Sequence, residues 1–131
     1  MNSPTQRSLA KMRKEGWQVC VVEKWIAQAR QRFDAFGFGD LLACQPGQRI
    51  TLVQTTSRSN MMARYHKIIG LPSAETWLRS GGKIILHGWS KKGARGERKL
   101  WQCAENEITL LEIQAQRDEL FTESIPMQSS A

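Results

Sequence analysis

Apolar positions recur along the chain at two spacings, and the spacing predicts the elements. Leu9 and Met12, three apart and followed by Gly16, predict a short helix over Ser8 to Glu15. Trp17-Gln18-Val19-Cys20-Val21-Val22-Glu23 is rich in β-formers and reads as a first strand. The stretch from Lys24 to Phe38 fits either a short helix or a hairpin, with Gly37 and Gly39 marking a turn. Asp40 opens a short buried strand to Cys44, and Gln45-Pro46-Gly47-Gln48 is a turn in which proline presets one dihedral and glycine supplies a positive one. Arg49 to Thr55 is a further strand. Ser57 or Ser59 caps a helix to about Ile69, with Met61, Met62, Tyr65, Ile68 and Ile69 facing inward and Asn60, Arg64 and Lys67 sharing another face.

Gly70-Leu71-Pro72 ends that helix, and Ser73 to Arg79 reads as a short one. Lys83 to Trp89 is a strand, residues 90–99 a basic loop, and Leu100 to Cys103 a segment that pairs back. Glu107 to Gln114 fits a strand or a short helix, and a tail from about Thr122 is expected to be disordered. Residues 1–121 are thus read as one domain. The order helix, strand, strand, strand, helix, strand predicts an α/β (α+β) fold, an αβββαβ core with a mixed central sheet flanked by helices.

Charge changes this picture. The 131 residues carry a net charge of +7, but residues 104–131 hold one base and six acids, which leaves residues 1–103 with 18 bases against 6 acids, or +12. A body this basic attracts a polyanion and gains from counterion release, so DNA is the expected partner. The lysines and arginines Lys91, Lys92, Arg95, Arg98 and Lys99 are the candidate phosphate contacts, with Arg58 and Arg64 beside them. No apolar run is long enough to span a membrane, and no secretory signal precedes the first helix, so a soluble, cytoplasmic protein without a membrane partner is expected. Cys20, Cys44 and Cys103 lack zinc-site spacing and read as reduced residues packed as small hydrophobes. Of the five tryptophans, at least three are assigned to the core, the alternative being stacking on unpaired bases. His87 reads as a hydrogen-bonded strand residue rather than a general base.

Candidate chemistry gathers around Asp40. If the Pro46-Gly47 turn joins antiparallel strands, Asp40 and Gln54 return toward each other, and Gln54 and Thr56 face the same way. Glu23 at the end of the first strand offers a second carboxylate. Asp34 is a loop acid with a metal role as the alternative. Such oxygen clusters suit Mg²⁺.

The segments Arg32-Phe33-Asp34-Ala35-Phe36-Gly37-Phe38-Gly39-Asp40-Leu41-Leu42-Ala43 and Val53-Gln54-Thr55-Thr56-Ser57 resemble the PD-(D/E)XK nuclease superfamily, and in particular its small Holliday-junction-resolvase-like members. Arg64 to Ile68 and Gly81 to Trp89 continue the likeness, which covers roughly residues 7–103. The resemblance implies a restriction-endonuclease-like fold and a Mg²⁺-dependent DNA endonuclease, with Mn²⁺ able to substitute. It implies Asp40, Glu23 and Gln54 as metal ligands, and a homodimer by analogy. The family's motif lysine falls at Thr56 here, which makes Lys67 the candidate catalytic lysine, followed by Arg64 and Lys24. Where the family's first helix carries a glutamate this chain has Thr5-Gln6-Arg7, and Glu23 is the substitute. The alternatives are a DNA-binding module without catalysis, and an assembly role in which residues 104–131 shield the basic body.

Overall fold

In the computed structural model, residues 2–124 are described, and the rest of the expected tail, residues 125–131, lies outside the described residues. Ser3 caps the first helix, α1 (Pro4–Lys14), by accepting the Gln6 N–H, and Pro4 sits in its first turn. The helix therefore starts earlier than the spacing of Leu9 and Met12 alone predicts. Thr5, Ser8, Leu9 and Met12 form its buried stripe. The chain then runs through β1 (Gln18–Val21), a hairpin of β2 (Lys24–Ile26) and β3 (Gln31–Phe33), β4 (Leu41–Cys44) and β5 (Thr51–Ser57). The hairpin is thus the form that Lys24 to Phe38 takes. A 3₁₀ turn capped by Ser57 leads into α2 (Met61–Ile69), followed by α3 (Pro72–Arg79), β6 (Lys83–Lys92), β7 (Leu100–Ile108) and α4 (Leu110–Ser124).

Five strands form one mixed sheet in the order β1-β4-β5-β6-β7, with β5 and β6 parallel and every other pair antiparallel. Sheet and helices make an α+β fold. Its centre, β5, is covered on both faces. Val53 packs with Leu9, Met12 and Leu41 beneath α1, whereas Leu52 packs with Ile68, Ile84 and Ile113 beneath the other helices. This alternation follows from the pleat, which sends successive side chains to opposite faces.

Several expectations are corrected. Met62 is 64% exposed, so the inward face of α2 is narrower than the run of apolar residues suggests. Lys91 and Lys92 end β6 rather than lying in a loop. Glu107 and Ile108 close β7 while Leu110 opens α4, so the segment from Glu107 to Gln114 is part strand and part helix, and the helix continues past Thr122 to Ser124. Cys20 is exposed and Cys44 and Cys103 are half-buried, so none of the three packs as a core hydrophobe. The acidic segment cannot act as a detachable shield, because the second half of β7 and all of α4 are built from it. No helix among the described residues is long and apolar enough to cross a membrane.

Candidate metal centre

The turn at Pro46-Gly47 sets the register of β4 against β5, pairing Leu41 with Val53 and Leu42 with Leu52. One step further on, Asp40 lies opposite Gln54. The Asp40 carboxylate accepts three hydrogen bonds at one oxygen, Oδ2: from Gln54 Nε2 at 2.7 Å, from the Thr55 backbone N–H at 2.8 Å and from Thr55 Oγ1 at 3.2 Å. Thr55 Oγ1 is itself 2.8 Å from Thr5 Oγ1 at the start of α1. The first helix is thereby tied to the acid. The other end of the Gln54 amide, Oε1, is buried and has no partner among the described residues.

Asp34 reaches the same place by a tight loop. Ala35 and Gly39 exchange backbone hydrogen bonds at 2.8 Å, folding the segment back on itself. Gly39 is required there: a Cβ would stand 2.8 Å from Leu52 Cδ2 and 3.2 Å from the Ala35 methyl. Phe36 holds a left-handed conformation, φ 56°, at the loop's apex, a backbone state that a bulky side chain rarely adopts. The loop returns Asp34 to Asp40, and Glu23, two residues past the end of β1 at Val21, joins them. Glu23, Asp34 and Asp40 each offer a carboxylate oxygen, and these lie within 4.8 Å of one another.

Burial pushes the Asp40 carboxyl up to about 7, and the Asp34 and Glu23 charges and a hydrogen bond with Asp34 push the same way, against the Thr55 N–H. Like charges this close in a half-buried site disfavour joint ionisation. A divalent cation reverses that balance.

The acids sit in an open cleft of about 480 Å³, lined also by Arg32, Arg64 and Lys67. Arg64 and Lys67 on α2 and Asn60 at its N-cap, three to four residues apart, all reach it, as their spacing predicts. Thr56 is buried and lines the cleft as well. Glu23 additionally pairs with Arg32 at 3.7 Å. Sequence reasoning missed Arg32, Thr5 and Thr55, and the only available signal for Arg32 was its place two residues before Asp34. Lys24 lies on β2 and does not line the cleft. Arg58 lines a different groove, with Met62, Tyr65 and Glu105, and so leaves the site. The bases Lys91, Lys92, Arg95, Arg98 and Lys99 are all exposed at the β6–β7 turn. Because Ser57 pairs with Trp89 in the parallel register, that turn projects beyond the same end of the sheet as the cleft.

A second cluster joins His87, Cys103 and Glu105 across β6 and β7. Here both imidazole nitrogens are taken: Nδ1 is 2.8 Å from Ser8 Oγ and Nε2 is 3.0 Å from Glu105 Oε1. Trp89 Nε1 donates to Ser8 Oγ at 2.8 Å. One consistent chain follows, in which indole donates to hydroxyl, hydroxyl to imidazole and imidazole to carboxylate. The bond to His87, with Lys11 adding to it, holds Glu105 down to about 2, while burial pushes the Cys103 thiol up to about 12. Ser8 is fully buried, so this chain ties α1 to the sheet.

Comparisons with protein-family models, with curated proteins and with solved structures give no match for this chain.

Proposed function

We propose that the chain is a metal-dependent DNA endonuclease, and that Glu23, Asp34 and Asp40 hold Mg²⁺. The observation that carries this reading is the meeting of the three carboxylates beside a buried, unpartnered Gln54 Oε1. Hard oxygen donors of this kind fit Mg²⁺, with Mn²⁺ as the expected substitute. The unpartnered amide oxygen is a buried acceptor that a cation or its bound water would satisfy. Bound there, the ion would lower the pKa of a water molecule and offset charge on the scissile phosphate.

The chain's own residues supply the rest. Asp40 is fixed at one oxygen by Thr55 and Gln54, so its other oxygen has a defined direction. Arg64 and Lys67 on α2 would hold the phosphate, with Lys67 orienting the attacking water in place of a lysine at Thr56. The N-terminus of α1, at Ser3 and Thr5, lines the same cleft and favours an anion. The exposed bases of the β6–β7 turn extend the phosphate contacts along a duplex. The order α1, β1, β4, β5, α2, β6 supports a restriction-endonuclease-like αβββαβ core. A homodimer belongs to this proposal, since two strands must be cut.

The buried threonine at position 56 favours a second reading, a DNA-binding module that has lost its chemistry. Supercoiled plasmid and a labelled four-way junction, each incubated with Mg²⁺, Mn²⁺ or EDTA, separate the two. Metal-dependent cutting that disappears in Asp40→Ala is the expected result. A band shift without cutting in any metal would replace the nuclease with the binding module, and cutting retained by Asp40→Ala would overturn the site.

A further inference from the structure

Ten residues separate Glu23 from Asp34, and none of them is acidic. They form the β2–β3 hairpin, whose strands pair only with each other. Among its strand residues only Ile26 is even half-buried. A two-stranded hairpin without a core beneath it is marginal in water. Its turn places Arg30, a residue with a Cβ, in the left-handed region at φ 48°. Nothing in the packing of the domain calls for aromatics on such an element, yet Trp25 is 59% and Phe33 47% exposed.

The register explains what the hairpin presents. Trp25 stands opposite Arg32, and Lys24 stands opposite Phe33. Neighbouring strand residues point to opposite faces, so each face offers one aromatic ring and one base. That pairing suits a nucleobase and its phosphate, the ring taking the base face and the cation the backbone. A flat duplex has no exposed base face to offer. The two ends of the hairpin are Glu23 and Asp34, two of the three acids of the metal centre, and Arg32 lines the cleft. Trp25 is two residues from Glu23, about 7 Å along an extended strand. That is the length of about two stacked nucleotides.

We propose that the β2–β3 hairpin reads unpaired DNA: Trp25 stacks on a base that has left the duplex, while Arg32 on the same face holds the adjoining phosphate, and this steers branched or single-stranded DNA into the acidic cleft. The inference rests on the nuclease reading and names its substrate class.

The test measures binding rather than cutting, in EDTA, with the full chain. Fluorescence anisotropy compares a single strand, a four-way junction and an uninterrupted duplex of the same sequence. Trp25→Ala is expected to weaken binding to the single strand and the junction by about 5- to 150-fold, the range for losing one base stack. Duplex binding should change less than about twofold, and Trp25→Phe should restore most of the loss. A loss confined to the single strand or to the junction would say which source of unpaired bases the hairpin serves. Equal loss on all three DNAs, or no loss on any, would overturn the inference. So would a Trp25→Ala protein with unchanged DNA affinity and altered sedimentation, which would assign the hairpin to self-association. A protein that never cuts still answers the question in EDTA. One that binds no DNA at all removes the nuclease reading together with this one.

Discussion

Asparagine at position 40 should make the metal-free protein more stable and the protein blind to Mg²⁺. Asp40 is 3% exposed, and its carboxyl is pushed up to about 7 by burial first and by Asp34 and Glu23 after that. An unfolded chain ionises it near 3.8. Between those values the folded state binds more protons than the unfolded one, so stability falls as pH rises, and the full cost is present above about pH 7. At 1.36 kcal/mol per pKa unit the upper limit is about 4 kcal/mol. Asparagine imitates the protonated acid. Its oxygen can keep the Thr55 N–H, and its amide hydrogens can serve Asp34, which the Asp40 proton otherwise serves.

Thermal melts followed by circular dichroism, in EDTA and in Mg²⁺ across pH, read the effect. At about pH 8 in EDTA, Asp40→Asn should melt at least about 4 °C higher than the parent, which is close to 1 kcal/mol for a domain of this size. The gap should close as pH falls below about 3.8, where the parent is protonated in both states. Mg²⁺ at 100 times its dissociation constant should stabilise the parent by about 2.7 kcal/mol and leave the variant unmoved. A variant that melts lower than the parent in EDTA at high pH, or a gap that ignores pH, would refute the electrostatic account. Equal stabilisation of both proteins by Mg²⁺ would refute the metal assignment.

Ser8→Ala should cost about 2–4 kcal/mol in a urea titration, because Trp89 Nε1 and His87 Nδ1 lose their shared buried partner. A cost below about 1 kcal/mol would dissolve the proposed hydrogen-bond chain. Replacing Lys91, Lys92, Arg95, Arg98 and Lys99 by glutamine should flatten the salt dependence of duplex binding, by about 0.9 in the log–log slope for each phosphate that is no longer neutralised. An unchanged slope would mean that the phosphates are held elsewhere.

What could be read from the sequence depended on how local its cause was. The meeting of Asp40 and Gln54 follows from a turn, since Gln48 N–H reaches Gln45 O at 3.0 Å and Gly47 supplies φ 81°. A one-residue slip would send both side chains to the wrong face, so the turn alone fixes the pair. The face shared by Asn60, Arg64 and Lys67 follows equally from helical spacing. Asp34 was harder, because its return depends on Gly39 lying against Leu52, an approach between segments that spacing does not encode. The start of α4 was in fact written locally. Thr109 and Glu112 form a reciprocal capping box, with Thr109 N–H donating to Glu112 Oε2 at 2.6 Å and Glu112 N–H to Thr109 Oγ1 at 3.4 Å. Its signal was hidden by the apolar alternation around it. Beyond the cap, Leu111, Leu120 and Phe121 are exposed and, among the described residues, only Ile113 enters the core, so no helical stripe announces the helix.

The uneven charge has a spatial rather than a sequential meaning. Glu107 on β7 pairs with Arg49 at 3.2 Å and Lys83 at 3.6 Å, at the end of the sheet away from the cleft. Glu105 takes Lys11 at 3.1 Å and also His87. Glu75 on α3 takes Arg79 and Arg117. The acids of β7 therefore neutralise bases along the body of the fold. The bases at the β6–β7 turn have no such partner among the described residues, and Arg7 and Lys91 are held over the Trp101 ring at 3.5 and 5.3 Å from its centre. A cluster of unpaired positive charge thus lies at one end of the sheet, the end where β5 delivers Gln54 and Asp40 precedes β4. A polyanion drawn to that end arrives where the three carboxylates lie. Alone they would repel it, and only a cation between them turns attraction at the rim into binding at the centre.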